Sequence, residues 1–216
     1  MPRRQLHLSG DQGADALLTT TPLALVIGFV LDQQIPLEWA FRGPAELSRR
    51  LGGPLDAAAL AAMDPETLAE LFAAKPALHR YPGSMAARVQ ALCATVADGY
   101  GGDAARIWKG AADGEELLGR VAALPGFGPQ KARIFVALLG KQLGVSAAGW
   151  REACAPFGEP GSFLSAADIV DAESLAKVRE HKAQTKAAAK KAGDRATAPA
   201  PPAKQPAARP RAGARR

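Results

Sequence analysis

The residues best placed for chemistry lie in one run, Leu124-Pro125-Gly126-Phe127-Gly128-Pro129-Gln130-Lys131-Ala132, and the chemistry it suits is anion binding. Gly126 and Gly128 can take positive φ without a Cβ penalty, and Pro129 fits the first position of a helix, where no N–H is missed. The spacing therefore predicts a helix N-terminus with a cluster of N–H groups and no side chain in front of it, which suits a phosphate. Taken alone, Gly-x-Gly between helices is more often the punctuation of an ordinary αα turn. A second stretch, Asp32-Gln33-Gln34, sets a carboxylate and two amides at the end of an apolar stripe. An amide in that place must bond to main chain as part of a core, or to a ligand's edge at a cleft.

The elements that must position these residues all read as helices. Before the hairpin, Asp113-x-x-Glu116 has the form of a capping box, and Leu117, Leu118, Val121 and Leu124 recur at helical spacing over about 114–123. After it, Ile134, Phe135, Leu138, Leu139 and Gln142 lie on one stripe. The first helix is predicted to start at Thr21 as N-cap with Pro22 next, and Leu23, Val26, Ile27, Val30 and Leu31 form a stripe on which Gln34 falls next. Short helical segments follow at 36–42 and 44–51, stopped by Gly52-Gly53-Pro54. Asp64-Pro65 opens another helix, with Leu68, Leu71 and Phe72, that Pro76 interrupts. Tyr81-Pro82 leads into a long amphipathic helix with Met85, Val89, Leu92, Cys93 and Val96 on one side; Cys93 on that stripe reads as a small core hydrophobe. The stretch 140–161 is less regular, and a last helix is expected near 171–191, anchored by Leu175 and Val178. No stretch reads as a strand, so the fold class is all-α.

Composition bounds the rest. A chain of 216 residues with 48% hydrophobic content can bury one sizeable core or two small lobes. Its two cysteines, Cys93 and Cys154, cannot form a disulfide framework or a four-thiolate cluster, so a reduced cytoplasmic setting is expected, without an iron–sulfur cluster. No apolar run approaches the ~18 residues that span a bilayer, and nothing at the start resembles a signal peptide. The net charge of +6 is uneven: residues 182–216 carry ten Lys and Arg against one acid, Asp194, while the remainder holds 17 basic and 20 acidic residues. That basic segment, rich in Ala, Lys, Pro and Arg, cannot bury enough surface to fold alone and is expected to be disordered. It suits sequence-independent contact with nucleic acid by counterion release, or solubilisation.

Leu-Pro-Gly-Phe-Gly followed by a polar pair and Ala132 closely resembles the hairpin of the helix-hairpin-helix DNA glycosylases, the base-excision family that includes endonuclease III. Val30-Leu31-Asp32-Gln33-Gln34-Ile35 resembles that family's Leu-x-Gln-Gln-Ile segment, in the family's order along the chain. The resemblance implies a glycosylase-like helical body over 1–182 and a basic tail over 183–216. It implies duplex DNA as partner, gripped by the hairpin at Gly126, Phe127, Gly128, Gln130 and Lys131, with a monovalent cation on loop carbonyls. Gln33 and Gln34 would lie near the flipped base and the DNA gap, and the segment 80–88 would border the lesion pocket, with Tyr81 lining it; His79 is a candidate for the same wall, but a structural or surface role is the commoner use of a lone histidine. No membrane is implied, and the protein is read as a monomer, cytoplasmic and nucleoid-associated.

Two departures from the family pattern shape the expected activity. The interval that carries the family's catalytic aspartate reaches Ala148, within Gly144-Val145-Ser146-Ala147-Ala148-Gly149-Trp150, and no carboxylate stands there. The lysine that strand-cutting members place two residues after the last hairpin glycine is Gln130 in this chain. Lys131 is next door, but one helical step turns a side chain by ~100°, so it is expected to meet a phosphate and not the pocket. The resemblance then implies, if the chain is catalytic, a monofunctional N-glycosylase, a hydrolase without AP-lyase activity; Asp32, beside the glutamines, is the candidate replacement carboxylate, against the common reading of a surface charge on an amphipathic helix, and Glu152 and Asp168 have no positional support. The alternative is a non-catalytic DNA-binding lesion sensor or scaffold. A nucleoid-packing protein driven by the tail is a third possibility.

Overall fold

Pro22 starts the helix around which the rest packs. In the computed structural model, which describes residues 5–196, α2 (Pro22–Leu31) is buried on every side from Leu23 to Leu31. The stripe at positions 23, 26, 27, 30 and 31 is thus only part of its buried surface: Leu25 and Phe29 on the opposite side are covered as well. Burial all round is what a helix with no polar residue over its length must achieve.

All the described regular structure is helical. Before α2 comes α1 (Gln12–Thr20), so the expectation of a first helix at Thr21 missed one. Its start is marked by Asp11, whose side chain accepts from the Ala14 N–H at 2.8 Å. Buried Asp15 clips the preceding residues to it, one oxygen accepting from Leu8 N (3.0 Å), Ser9 N (2.8 Å) and Ser9 Oγ (2.8 Å). The expected segments 36–42 and 44–51 are one helix, α3 (Leu37–Leu51), with Pro44 inside it. Pro44 forgoes one ladder bond, and the helix continues because Gly43 and Pro44 are buried: a Cβ on Gly43 would lie 2.5 Å from Leu31 Cδ1. A Cβ on Gly28 would in turn sit 2.8 Å from the Phe41 ring, so α2 and α3 cross at two glycines.

α4 (Ala57–Ala62) and α5 (Pro65–Ala73) cover the apolar stripe of α6 (Pro82–Tyr100). Cys93 lies in that seam fully buried, and burial pushes its thiol up to about 12, so it packs as a hydrophobe and is not a nucleophile at neutral pH. The hairpin helices are α7 (Gly114–Ala122) and α8 (Pro129–Gln142). The capping box forms with a shift: Asp113 accepts from Glu116 N at 2.8 Å, while Glu116 reaches past it to Ala112 N at 2.7 Å. The far ends of α7 and α8 are closed by Trp150 of the short helix α9 (Trp150–Ala153); a Cβ on Gly114 would be 2.5 Å from Trp150 Cα, and one on Gly140 2.5 Å from its ring.

α10 runs from Ala172 to Ala196. Val178 is buried in the body, and Arg179 pairs with Glu38 of α3. The chain divides into two units, Met1–His181 and Lys182–Arg216. Of the second, the described residues 182–196 are helical; the rest of the expected disordered tail, 197–216, lies outside the described residues. No single helix among the described residues is long and apolar enough to cross a membrane.

Candidate nucleic-acid interface

An α-helix leaves its last four carbonyls without intrahelical donors, and α2 satisfies all four at the spot where the predicted site residues gather. Gly28 O accepts from Asp32 N at 3.0 Å, and Leu31 O from Gln33 N at 2.7 Å. The other two bonds come from side chains: Val30 O accepts from Gln33 Nε2 at 2.6 Å, and Phe29 O from Lys131 Nζ at 2.5 Å. The glutamine segment and the hairpin thus meet at one helix end.

The hairpin is seated on that end by packing too. Gly126 has φ +86, and a Cβ there would lie 3.2 Å from both Val30 methyls, so the turn needs glycine for its backbone and for its fit. Phe127 turns its ring into the core, 5.5 Å from Phe135 and 6.3 Å from Phe29 between centroids, so what it can offer a ligand is main chain. Gly128 is different. Its φ of −94 and ψ of 172 are open to any residue, and a Cβ would meet nothing within 4 Å. It is the N-cap of α8 and supplies no side-chain cap; the first bond of the helix is Ala132 N to Gly128 O at 3.0 Å. Gln130 and Lys131 therefore carry N–H groups that a helix leaves without intrahelical acceptors, and Gly128, Pro129 and Gln130 are exposed.

Gln33 finds its partners within the protein. Besides Val30 O, its Oε1 accepts from Arg88 Nη1 at 2.6 Å, and its carbonyl bonds His79 Nε2 at 2.8 Å. Because His79 Nδ1 accepts from Tyr81 N at 3.0 Å, the ring proton belongs on Nε2, which donates to Gln33. The chain Tyr81, His79, Gln33, Arg88 ties the start of α6 to the end of α2. Tyr81 itself is 44% exposed, with the Arg80 guanidinium 5.5 Å from its ring centroid. An exposed ring beside a guanidinium is a surface on which a nucleobase can stack.

Gln34 does not continue the stripe of α2, because the helix stops at Leu31. It is exposed, and with φ 56 it is the one non-glycine with positive φ among the described residues. Left-handed backbone strain of this kind concentrates at functional sites. Gln34→Gly is expected to raise stability by about 0.5–1 kcal/mol by removing the Cβ clash. Thermal melting of the two proteins checks it.

Lys131 points inward and is half-buried. Burial pushes its ammonium down to about 8; the Asp32 carboxylate opposes that shift and Arg88 adds to it. Asp32, the C-cap residue of α2, is half-buried within electrostatic reach of that amine. The other carboxylates are placed elsewhere. Asp168 bonds Lys141 Nζ (2.5 Å) and the N–H groups of Leu164 (2.9 Å) and Ser165 (3.1 Å) as part of a capping box, and Glu152 lies on α9. The window around Ala148, where the resemblance places an aspartate, lies at the far end of the hairpin helices. Ala148 O accepts from the N–H of Gly114, the first residue of α7, at 2.7 Å, about 13 Å along that helix from the turn.

A surface cavity of about 480 Å³ runs along α3, lined by Pro36, Trp39, Arg42, Glu46, Pro76 and Leu78. Its polar groups bond within the protein: Trp39 Nε1 to Ala77 O at 3.1 Å, Arg42 Nε to Ser9 O at 2.7 Å, and Glu46 to Arg49 and Arg50. The arginines beside Glu46, Arg49 foremost, hold its carboxyl down to about 2.

Comparison with protein-family models, with curated proteins and with solved structures finds no match to this chain.

Proposed function

We propose that this chain is a base-excision DNA repair protein of the helix-hairpin-helix glycosylase type, binding duplex DNA at a damaged or mispaired base and acting as a monofunctional N-glycosylase. The observation that carries the reading is the seating of the hairpin, by Gly126 on Val30 and Lys131 on Phe29 O, against the helix end that presents Asp32, Gln33 and Gln34. A simple backbone binder needs the amides of Gln130 and Lys131 at the start of α8; it has no use for a strained, exposed glutamine beside a carboxylate.

In this reading the amides of α8 hold a phosphate and Gln34 enters the gap left by the extruded nucleotide, whose unstacking costs a few kcal/mol. Gln33, held by Arg88 and His79, fixes the loop. Asp32 faces the sugar and stabilises the positive charge that develops as the glycosidic bond breaks and the base departs with the bonding electrons; water adds to the sugar carbon and gives up a proton, and the departing base takes one up. The turn's main-chain oxygens are the donor type a monovalent cation takes, Leu124 O also accepting from Phe127 N at 3.1 Å. A second reading, a lesion sensor without catalysis, is favoured by the remote position of Ala148 and the absence of a carboxylate there.

The test is incubation of the full chain with duplexes that each carry one alkylated, deaminated or oxidised base, followed by hot alkali. Cleavage at one lesion is expected. Binding to a duplex with an abasic site, with no cleavage on any substrate, would support the sensor, and no binding that depends on the hairpin would refute both.

A further inference from the structure

Lys131 is the residue whose placement departs furthest from a DNA contact. Its Nζ donates to Phe29 O at 2.5 Å across 102 residues of sequence, completing the carbonyl account of α2. Gln33 Nε2 does the same at the neighbouring Val30 O, so one side chain from the hairpin and one from the glutamine loop cap adjacent carbonyls. The charged groups facing the ammonium are Asp32, just past the end of α2, and Arg88 on α6, which itself holds Gln33 Oε1. A cation also suits the negative end of the α2 dipole.

We propose that Lys131 is a positioning residue: its ammonium locks the phosphate-binding hairpin to the Asp32–Gln34 loop in one register, and only its main-chain N–H faces DNA. The consequence for DNA rests on the reading of the hairpin as a backbone clamp; the lock itself does not. Because the side chain spends its charge internally, it releases no counterion when DNA binds.

Burial holds the ammonium near 8 in the folded chain, below the usual lysine value of 10.5. The unfolded chain therefore binds more protons between those two values, and folding stability from this group rises as pH climbs through that window. At neutral pH the charged amine is therefore less favourable to the fold than its neutral form would be. The lock follows the opposite course. It is intact below about pH 8 and weakens above, as the amine loses its charge.

Three full-length proteins decide the matter: wild type, Lys131→Met and Lys131→Arg. In the free proteins, amide hydrogen exchange over 32–35 and 126–131 should be about tenfold faster in Lys131→Met, with α6 unaffected and Lys131→Arg near wild type. Unchanged exchange in both segments overturns the proposal, whether or not DNA is bound. On a duplex with an abasic-site analogue, Lys131→Met should bind about five- to tenfold more weakly at every salt concentration, with a log–log salt slope parallel to wild type. A slope shallower by about 1 would mean that the ammonium neutralises a phosphate, and would also overturn it. From pH 7 to 9 the wild type should drift towards Lys131→Met while Lys131→Arg stays level; a parallel drift of all three would refute the lock. If none of the three binds through the hairpin, the DNA reading fails and the exchange rates alone judge the lock.

Discussion

Gly128→Asp is expected to raise the melting temperature and, in the same protein, to remove hairpin-dependent DNA binding. Gly128 is the N-cap of α8 with extended φ and ψ that aspartate adopts without strain, and its Cβ would enter open space. An aspartate there accepts from the N–H groups of Gln130 or Lys131, a better cap than glycine, and its charge complements the helix dipole. Together these stabilise the fold by about 0.5–1 kcal/mol, or ~1–4 °C for a body of this size. The same carboxylate occupies the amides a phosphate would use and repels it. Losing one or two charge-assisted bonds of about 1.5–3 kcal/mol each weakens binding on the order of 10²-fold. Gly128→Ala separates the effects, since it fills the same space without a charge and should keep most of the affinity. Melting and anisotropy titration on an abasic-site duplex check both. A Gly128→Asp protein that melts higher and binds as the wild type would mean that these amides do not hold DNA.

The elements of this fold were legible where a cap and a stripe coincide. Thr21-Pro22, Asp64-Pro65, Tyr81-Pro82 and Asp113 each mark a helix start that the structure keeps. Pro44 misled because its usual meaning as a breaker is local, whereas the packing of Gly43 against Leu31 that carries the helix through is tertiary. α1 and α4 were missed because short runs of alanine and small polar residues give almost no period; their Asp11 and Asp56 caps were the available sign. At the site, the meeting of the hairpin with Asp32-Gln33-Gln34 was legible only as two motifs in order. Gln34 was misplaced because its stripe was extended past the last turn of α2, which no residue type announces. The inward course of Lys131 has a signal in the sequence: Lys131, Phe135, Leu138 and Gln142 share one helical stripe, and the last three are buried. The partnership of Gln33 with Arg88 and His79 had none, since it joins residues 46 and 55 positions apart through a fold not yet known.

Asp32→Asn should divide catalysis from binding more sharply than any other change at the site. The substitution is nearly isosteric and keeps the Asp32 N–H bond to Gly28 O that ends α2, so the fold is retained. It removes the negative charge beside the position proposed for the sugar. Electrostatic stabilisation of a developing charge in a site of this kind contributes about 2.7–4 kcal/mol, so excision of the lesion found in the substrate panel should slow by about 10²–10³-fold. Binding should move the other way. One fewer carboxylate near the DNA backbone lessens repulsion, so affinity for an abasic-site duplex should stay level or rise up to about threefold. Loss of Asp32 also removes the one nearby charge that props up the Lys131 ammonium, so the pH above which binding weakens should move down from about 8. These outcomes separate three roles for one residue. Slow excision with intact binding makes Asp32 the carboxylate that fills the role the resemblance gives to an aspartate beyond the hairpin. Equal losses in excision and binding would mean that it acts only through Lys131 and the register of the hairpin. An unchanged excision rate would remove Asp32 from the chemistry, and with it the structural basis for reading this frame as an enzyme instead of a sensor.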